Sequence, residues 1–259
     1  MTRRMCMAIV MILAFGIARM PFEARLAAER KALYFHGVQF NLSLQSRIGQ
    51  TAFVAALSGF RAPIADGMYI YAHVLWENVQ WGRMKVALDG ATELQPRCVL
   101  FWENAGWHMA YNASIAALND KQKQPRLSLR LKAEQDLWKV GEDYFLRGIE
   151  NNPDSSVLWT RLGSLYKEKF KEPAKAAWAY GEGAKLPNAP VYLHRFAAYQ
   201  IAKVPGRERE AYDLLKKYYL QGEDEQLPTL LKELGNLQEK LNIPPEQKIA
   251  IPPPSAPHP

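Results

Sequence analysis

Seven residues between positions 159 and 187 have the spacing of two consecutive helices joined by a short turn. They are Trp159, Leu162, Gly163, Tyr166, Ala176, Tyr180 and Pro187. Trp159, Leu162 and Tyr166 share one helix face, because steps of three and four residues return to the same side of a helix. Gly163 removes a side chain where the second helix has to approach, and Pro187 ends that helix because it has no N–H donor. The spacing predicts an all-α chain built from helix pairs.

The order of these residues, W-x2-L-G-x2-Y followed by Ala, an aromatic residue and Pro, resembles the tetratricopeptide repeat (TPR) family. Residues 169–173 differ from the family pattern, because this segment is about one residue longer. The resemblance implies a right-handed solenoid of helix pairs and a role in protein binding rather than in catalysis. A generic helical bundle is the alternative.

Other prolines extend the pattern on both sides of this repeat. Pro96 would close a first unit, residues 67–97, and Pro153 a second unit, residues 98–153. In the second unit Trp102 and Gly106 take the places of Trp159 and Gly163. This unit exceeds the family length by about 21 residues, which we assign to longer helices and a loop. Residues 154–188 and 189–222 form the third and fourth units, so the sequence predicts about four TPR-like helix pairs.

The open ends of a solenoid have to be covered, and the flanking segments are suited to this. Residues 32–66 are expected to form leading helices. Residues 223–243 are expected to form a capping helix, because Leu230, Leu234 and Leu237 share one face. Residues 244–259 are rich in proline and predict an extended, disordered tail; the alternative is a ligand for a proline-binding domain.

Residues 1–31 have the form of an export signal or a single membrane anchor. Arg3 and Arg4 precede an apolar run, residues 5–18, that is short for a free-standing anchor. We favour an N-terminal hydrophobic helix that anchors the chain, with the repeats on the non-cytoplasmic, periplasmic face. A signal that is cleaved after export and a cytoplasmic protein with an N-terminal helix are the alternatives.

A second resemblance supports this location. Residues 58–61 (SGFR), 65–66 (AD), 94–97 (LQPR) and 111–112 (YN), with Trp102, are similar to a block in bacterial membrane-anchored TPR proteins of unassigned role. It implies the architecture and the location but no activity.

The net charge of +7 is unevenly distributed along the chain. Residues 152–222 hold twelve Lys or Arg against seven Asp or Glu, whereas residues 223–259 hold three against six. We interpret the basic part as a solvated helix surface, with an acidic protein or an anionic lipid surface as the alternative partner. An exported chain rarely meets nucleic acid, and we expect no nucleic-acid partner.

No arrangement of residues typical of catalysis or cofactor binding stands out in the sequence. His73 and Glu77 lie four residues apart, but a salt bridge explains that pair better than half of a metal site. Gly-x-Ser-x-Gly, phosphate-binding glycine loops and Cys-x2-Cys pairs are absent from the sequence. We therefore predict no enzyme activity, no metal and no cofactor.

The TPR resemblance implies that partners contact exposed positions on the first helix of each unit. These positions are Tyr69, His73 and Trp76 in the first unit, Glu103, Trp107 and Tyr111 in the second, and Thr160, Ser164 and Lys167 in the third. Trp107 is the strongest candidate, because Trp102 and Gly106 already occupy core positions and Trp is enriched in binding hot spots. Packing under the long insertion is the alternative for Trp107.

The sequence therefore predicts a non-enzymatic scaffold, tethered to a membrane, that binds a partner protein or peptide on its concave face. A structural subunit of a multi-protein membrane assembly is the alternative. The oligomeric state and the partner's identity stay open.

Overall fold

The computed structural model describes residues 59–222 and 225–250, together with scattered residues between Met7 and Arg25. Ten α-helices lie within these ranges, and the described part of the chain contains no strand. The predicted export segment 1–31 and the leading segment 32–66 lie largely outside the described residues, as do residues 251–259 of the tail. Among the residues that are described, no helix is long and apolar enough to cross a membrane.

The chain divides into two compact units, Met1–Pro153 and Asp154–Pro259. In the first unit, α1 (Arg61–Glu77) packs against α2 (Trp81–Leu94). Helix α1 begins before position 67, the predicted start of the first repeat, and Pro63 lies in its first turn, where the missing N–H is not needed. Ala72 and Leu75 of α1 are buried, as are Met84, Leu88 and Ala91 of α2.

The rest of the first unit is a pair of long helices. The first comprises α3 (Val99–Trp107), a π-helical turn (His108–Ala113) and α4 (Ser114–Asn119), joined without a break in helical backbone. The second is α5 (Leu127–Asn151), which packs along all three of these segments. The surplus residues of the predicted second repeat therefore lie in longer helices and in the loop 120–126.

The second unit is a succession of shorter helices, each packed on the next. They are α6 (Ser156–Leu165) with a π-helical turn (Tyr166–Phe170), α7 (Pro173–Ala184), α8 (Tyr192–Ile201), α9 (Glu208–Tyr219) and α10 (Pro228–Lys240). Leu230, Leu234 and Leu237 of α10 are buried in a cluster with Tyr212 and Leu215 of α9. A short 3-10 turn, Pro245–Gln247, follows α10.

The π-helical turn Tyr166–Phe170 overlaps the start of residues 169–173, the segment predicted to be about one residue longer than the TPR pattern. A π turn accommodates one extra residue within a helix. The helix then ends at Lys171, whose φ of 58° reverses the chain before α7 begins with Pro173. The extra residue is thus taken up locally, and Tyr180 still packs against Gly163.

Three prolines follow the second helix of a pair. Helix α2 ends at Leu94, α5 at Asn151 and α7 at Ala184, shortly before Pro96, Pro153 and Pro187 respectively. The Pro96 carbonyl also accepts hydrogen bonds from Trp102 Nε1 (2.8 Å) and from Asn152 Nδ2 (2.9 Å). Pro96 therefore links the end of α2 to the beginning of α3 and to the end of α5.

Two glycines allow the helices of a pair to approach closely. A β-carbon at Gly163 of α6 would lie 2.6 Å from the Tyr180 ring of α7, and one at Gly106 of α3 would overlap the Phe145 ring of α5. Tyr180 and Phe145 are fully buried, so neither ring has room to move away. Each aromatic ring packs directly on helix backbone at these two points.

We predict that Gly163→Ala lowers the free energy of unfolding by about 1–3 kcal/mol, because the new methyl group overpacks the Tyr180 contact. Gly181→Ala in α7 is the matched control, since a β-carbon there meets nothing within 4 Å. It should stabilise by about 0.5–1 kcal/mol through helix propensity. Urea denaturation of the two variants is the measurement, and equal midpoints would contradict the close contact. Gly163→Leu should destabilise more strongly than Gly163→Ala.

Val79 ends α1 in a conformation that β-branched residues rarely adopt. Its φ is 57°, and the N–H groups of Val79 and Gln80 donate to the carbonyls of Trp76 and Leu75. This pair of bonds is the Schellman motif, in which glycine is the favoured left-handed residue. Val79 is 62% exposed, so its side chain gains little packing in return.

Val79→Gly should therefore stabilise the protein by about 1 kcal/mol, because the left-handed conformation no longer strains a β-carbon. Val86→Gly is the control, since Val86 is also exposed but lies inside α2. That substitution should destabilise by about 1 kcal/mol. Thermal melting of both variants tests the prediction, and a lower melting temperature for Val79→Gly would refute it.

Candidate protein-binding site

The first unit brings aromatic and histidine side chains from two helices into two groups of contacting rings, which together we name the aromatic cluster. Its members are Tyr69, His73 and Trp76 of α1, Phe101 and Trp107 of α3, and His108 and Tyr111 of the following π turn. Five of them are predicted partner-binding residues: Tyr69, His73, Trp76, Trp107 and Tyr111. Only Glu103, among the six contact residues predicted for the first two repeats, is not a member of the aromatic cluster.

His108 lies at the centre of the aromatic cluster. Its ring centroid is 5.6 Å from that of Trp76, 5.1 Å from that of Trp107 and 6.5 Å from that of His73. At one end of the cluster Tyr69 stacks on Phe101 at 4.8 Å. Residues from α1 and α3 therefore meet at two places, at the Tyr69–Phe101 stack and around the imidazole of His108.

The environment of His108 keeps its imidazole neutral at pH 7. The residue is only 5% exposed, and burial, together with the charge of neighbouring His73, lowers its pKa to about 4. Asn112 Nδ2 lies 3.0 Å from His108 Nδ1. With Asn112 as the donor, Nδ1 accepts and the ring proton is carried by Nε2.

Trp107 is the exposed edge of the aromatic cluster. It is 40% exposed, and its ring meets that of His108 edge-on and lies 6.4 Å from that of Tyr111, with an angle of 22° between the planes. Trp102, on the same helix, is 2% exposed and lies in the core. Trp107 thus combines rigid aromatic support on one side with solvent contact on the other, a combination typical of interface anchors.

The π turn determines which side chains follow Trp107. It covers His108–Ala113, and the turn Tyr166–Phe170 in the second unit also begins two or three residues after the close-contact glycine, Gly106 or Gly163. A π turn rotates the side chains beyond it relative to a regular helix, and such turns are frequent at functional sites. His108 and Tyr111 lie within this turn, and the His108 ring contacts His73 and Trp76 of α1.

Glu103 places a carboxylate near the Tyr69 end of the aromatic cluster. Glu103 is half-buried on α3. Burial, then the nearby Cys98, then the charge of Glu103 raise the pKa of the Tyr69 hydroxyl. The phenol therefore stays protonated over the whole physiological range and acts as a hydrogen-bond donor or acceptor without a charge.

The candidates of the third predicted repeat lie in the second compact unit and form contacts within their own helix pair. Thr160 Oγ1 donates to the Ser156 carbonyl at 2.7 Å, and Ser164 Oγ lies 3.1 Å from the Tyr180 hydroxyl. Lys167 forms an ion pair with Glu168 at 3.0 Å. Burial raises the pKa of Tyr180, although its bond to Ser164 and the charge of Lys167 act in the opposite direction. Ser164 and Lys167 lie beside Tyr180, whose ring contacts Phe196. Tyr180 is fully buried, unlike Trp107.

Sequence reasoning did not assign His108 and Phe101 to the site. The helix positions adopted for contact were 103, 107 and 111, and positions 102 and 106 were assigned to the core. His108 is indeed buried, but its neighbours are the candidate residues themselves. The signal in the sequence was a histidine directly after Trp107, with Asn112 four residues further on.

The buried state of His108 predicts a pH dependence of stability. Its ordinary pKa is about 6.5 in the unfolded chain, so the unfolded state binds the proton first as the pH falls. Stability from this group is nearly complete above pH 6.5 and decreases by about 3 kcal/mol as the pH falls to 4. We expect His108→Gln to remove this contribution. The unfolding free energy of the wild type should then fall more than that of the variant between pH 6.5 and 5. Parallel pH profiles in urea titrations would contradict the prediction.

Comparison with known proteins gives no relative. No protein-family model matches the chain, and no curated protein matches it. The TPR resemblance accordingly depends on the residue spacing in this sequence, and the function of the aromatic cluster has to be argued from its own geometry.

Proposed function

We propose that this protein is a non-enzymatic interaction scaffold that binds a partner protein or peptide on the aromatic cluster. The observation that supports this most directly is Trp107, which is half-exposed yet held by His108 and Tyr111. A rigid, partly exposed indole loses little conformational entropy on binding and buries a large apolar area. The neutral imidazole of His108 completes this surface without adding a charge at pH 7.

The helix pairs are, in this proposal, TPR-like repeats of a right-handed solenoid. The support comes from two pairs that share a tryptophan, a glycine four residues later, and a buried aromatic ring on the second helix. These are Trp102, Gly106 and Phe145 in the first unit and Trp159, Gly163 and Tyr180 in the second. The exposed positions on the first helices of such repeats form the binding face in that architecture.

Tethering to a membrane through residues 1–31 is part of the same proposal. It depends on the two arginines and the apolar run at the start of the sequence. Fractionation of cells that express the full chain tests it: recovery with the membranes after a high-salt wash supports an anchor. Complete recovery in the soluble fraction would rule out both the anchor and a role as a subunit of a membrane assembly.

The binding proposal is tested by crosslinking the tagged full-length protein in cells, followed by purification and mass spectrometry. One recurrent partner in near-equal amount is expected, and Trp107→Ala should reduce its recovery at least tenfold, as is typical of a hot-spot residue. Trp178→Ala is the matched control, because Trp178 is 46% exposed and lies in the second unit.

Melting temperatures of both variants separate loss of binding from loss of folding. Trp107→Ala should melt close to wild type, since much of the side chain is already exposed. A strong loss of stability with unchanged recovery of the partner per folded molecule would show that Trp107 is structural. Recovery of only further copies of this chain would favour a structural subunit in place of a scaffold.

A further inference from the structure

The helices that carry the aromatic cluster contain a single Lys or Arg, Arg61 at the start of α1. Residues 62–77 and 98–119 contain no Lys or Arg, although 33 of the 259 residues of the chain are Lys or Arg. At that average, these 38 positions would hold about five. They contain instead three acidic residues, Asp66, Glu77 and Glu103. The cluster is therefore an acidic, aromatic surface on a chain whose net charge is +7.

Four basic side chains near these helices form contacts within the first unit. Arg61 donates to the Leu94 carbonyl at 3.1 Å, and Arg97 donates to the Asn151 carbonyl at 2.6 Å. On α2, Arg83 donates to the Tyr71 hydroxyl, and Lys85 forms an ion pair with Asp89 at 2.9 Å. Since His108 is neutral at pH 7, it adds no positive charge to the cluster.

We propose that the occupant of the aromatic cluster is an arginine-containing, basic peptide segment of a partner protein. This inference rests on the proposed function and specifies the chemistry of the partner. A guanidinium group stacks on an indole or phenol face and is attracted by its negative quadrupole. The near-parallel rings of Trp107 and Tyr111 offer such faces one helical turn apart. Glu103 and Glu77, on the two contributing helices, provide the matching charge.

Arginine fits this surface better than lysine. Its planar, weakly hydrated head group stacks on aromatic rings and still donates hydrogen bonds from its edge to a carboxylate. An ammonium group offers the charge but no flat face. An acidic segment would be repelled by Glu77 and Glu103 and would find no basic residue on α1 beyond Arg61 or anywhere on α3 and α4.

The experiment measures fluorescence anisotropy of a labelled peptide of alternating arginine and glycine against the purified full chain. Matched peptides replace arginine with lysine, with glutamate, and with citrulline, which keeps the shape of arginine and loses its charge. The arginine peptide should bind about tenfold more tightly than the citrulline peptide, and the glutamate peptide should not bind. Equal binding of the arginine and citrulline peptides would overturn the inference.

Substitutions test whether the arginine peptide binds on the aromatic cluster. Glu103→Gln should weaken binding of the arginine peptide about fivefold, and Trp107→Ala about tenfold, whereas Trp107→Phe should retain part of the affinity. If Glu103→Gln lowers stability, Glu77→Gln is a second variant that removes a negative charge, because Glu77 is exposed on α1. Trp178→Ala is the control and should bind as wild type does. Binding that all the cluster variants leave unchanged would refute the inference, because the peptide would then lie elsewhere.

The charge inference and the scaffold proposal fail in different ways. Trp107→Ala could remove the cellular partner while Glu103→Gln and Glu77→Gln leave its recovery unchanged. The scaffold proposal would then hold, and the inference of a basic partner segment would be wrong. If none of the three variants affects recovery, the binding site itself is wrong. If all three reduce it, and raising NaCl from 50 to 500 mM weakens the arginine-peptide complex, both are supported.

Discussion

The packing of an aromatic ring on a glycine backbone is the contact on which both units depend. Phe145 against Gly106 and Tyr180 against Gly163 bring two helices closer than any side chain at the glycine position would allow. The first unit has a further close contact at a glycine, since a β-carbon at Gly141 would meet Ala110 and the Gly106 carbonyl. Because glycine has no side chain at the crossing, the two helices bring many atoms into van der Waals contact. This dense packing makes the helix pair rigid without a disulfide.

This contact also accounts for the position of the candidate site. Gly106 faces α5, so Trp107, the next residue, cannot face it and is directed away from that helix. The π turn then begins at His108, whose ring contacts those of His73 and Trp76 on α1. The tight glycine contact and the exposed tryptophan are consecutive residues, and the first fixes the orientation of the second. A substitution at Gly106 would therefore disturb the cluster without touching any of its members.

The sequence predicted the all-α class, because apolar spacing of three and four residues and terminating prolines are local signals. Trp107 at an exposed position also followed from local periodicity. The meeting of His73, Trp76 and Trp107 around His108 could not be predicted, since it depends on the angle at which α1 approaches α3. Nor could Val79 be identified as left-handed, because a β-branched residue carries no signal for a position that normally takes glycine.

Burial of His108 connects stability with the charge of the surface. An imidazole with an ordinary pKa would be partly protonated near neutral pH and would place positive charge beneath Trp76 and Trp107, where it would oppose a cationic partner. Its lowered pKa prevents this, at the cost of stability in acid. The packing that makes the protein sensitive to low pH is thus the same packing that keeps positive charge away from Trp76 and Trp107 at pH 7.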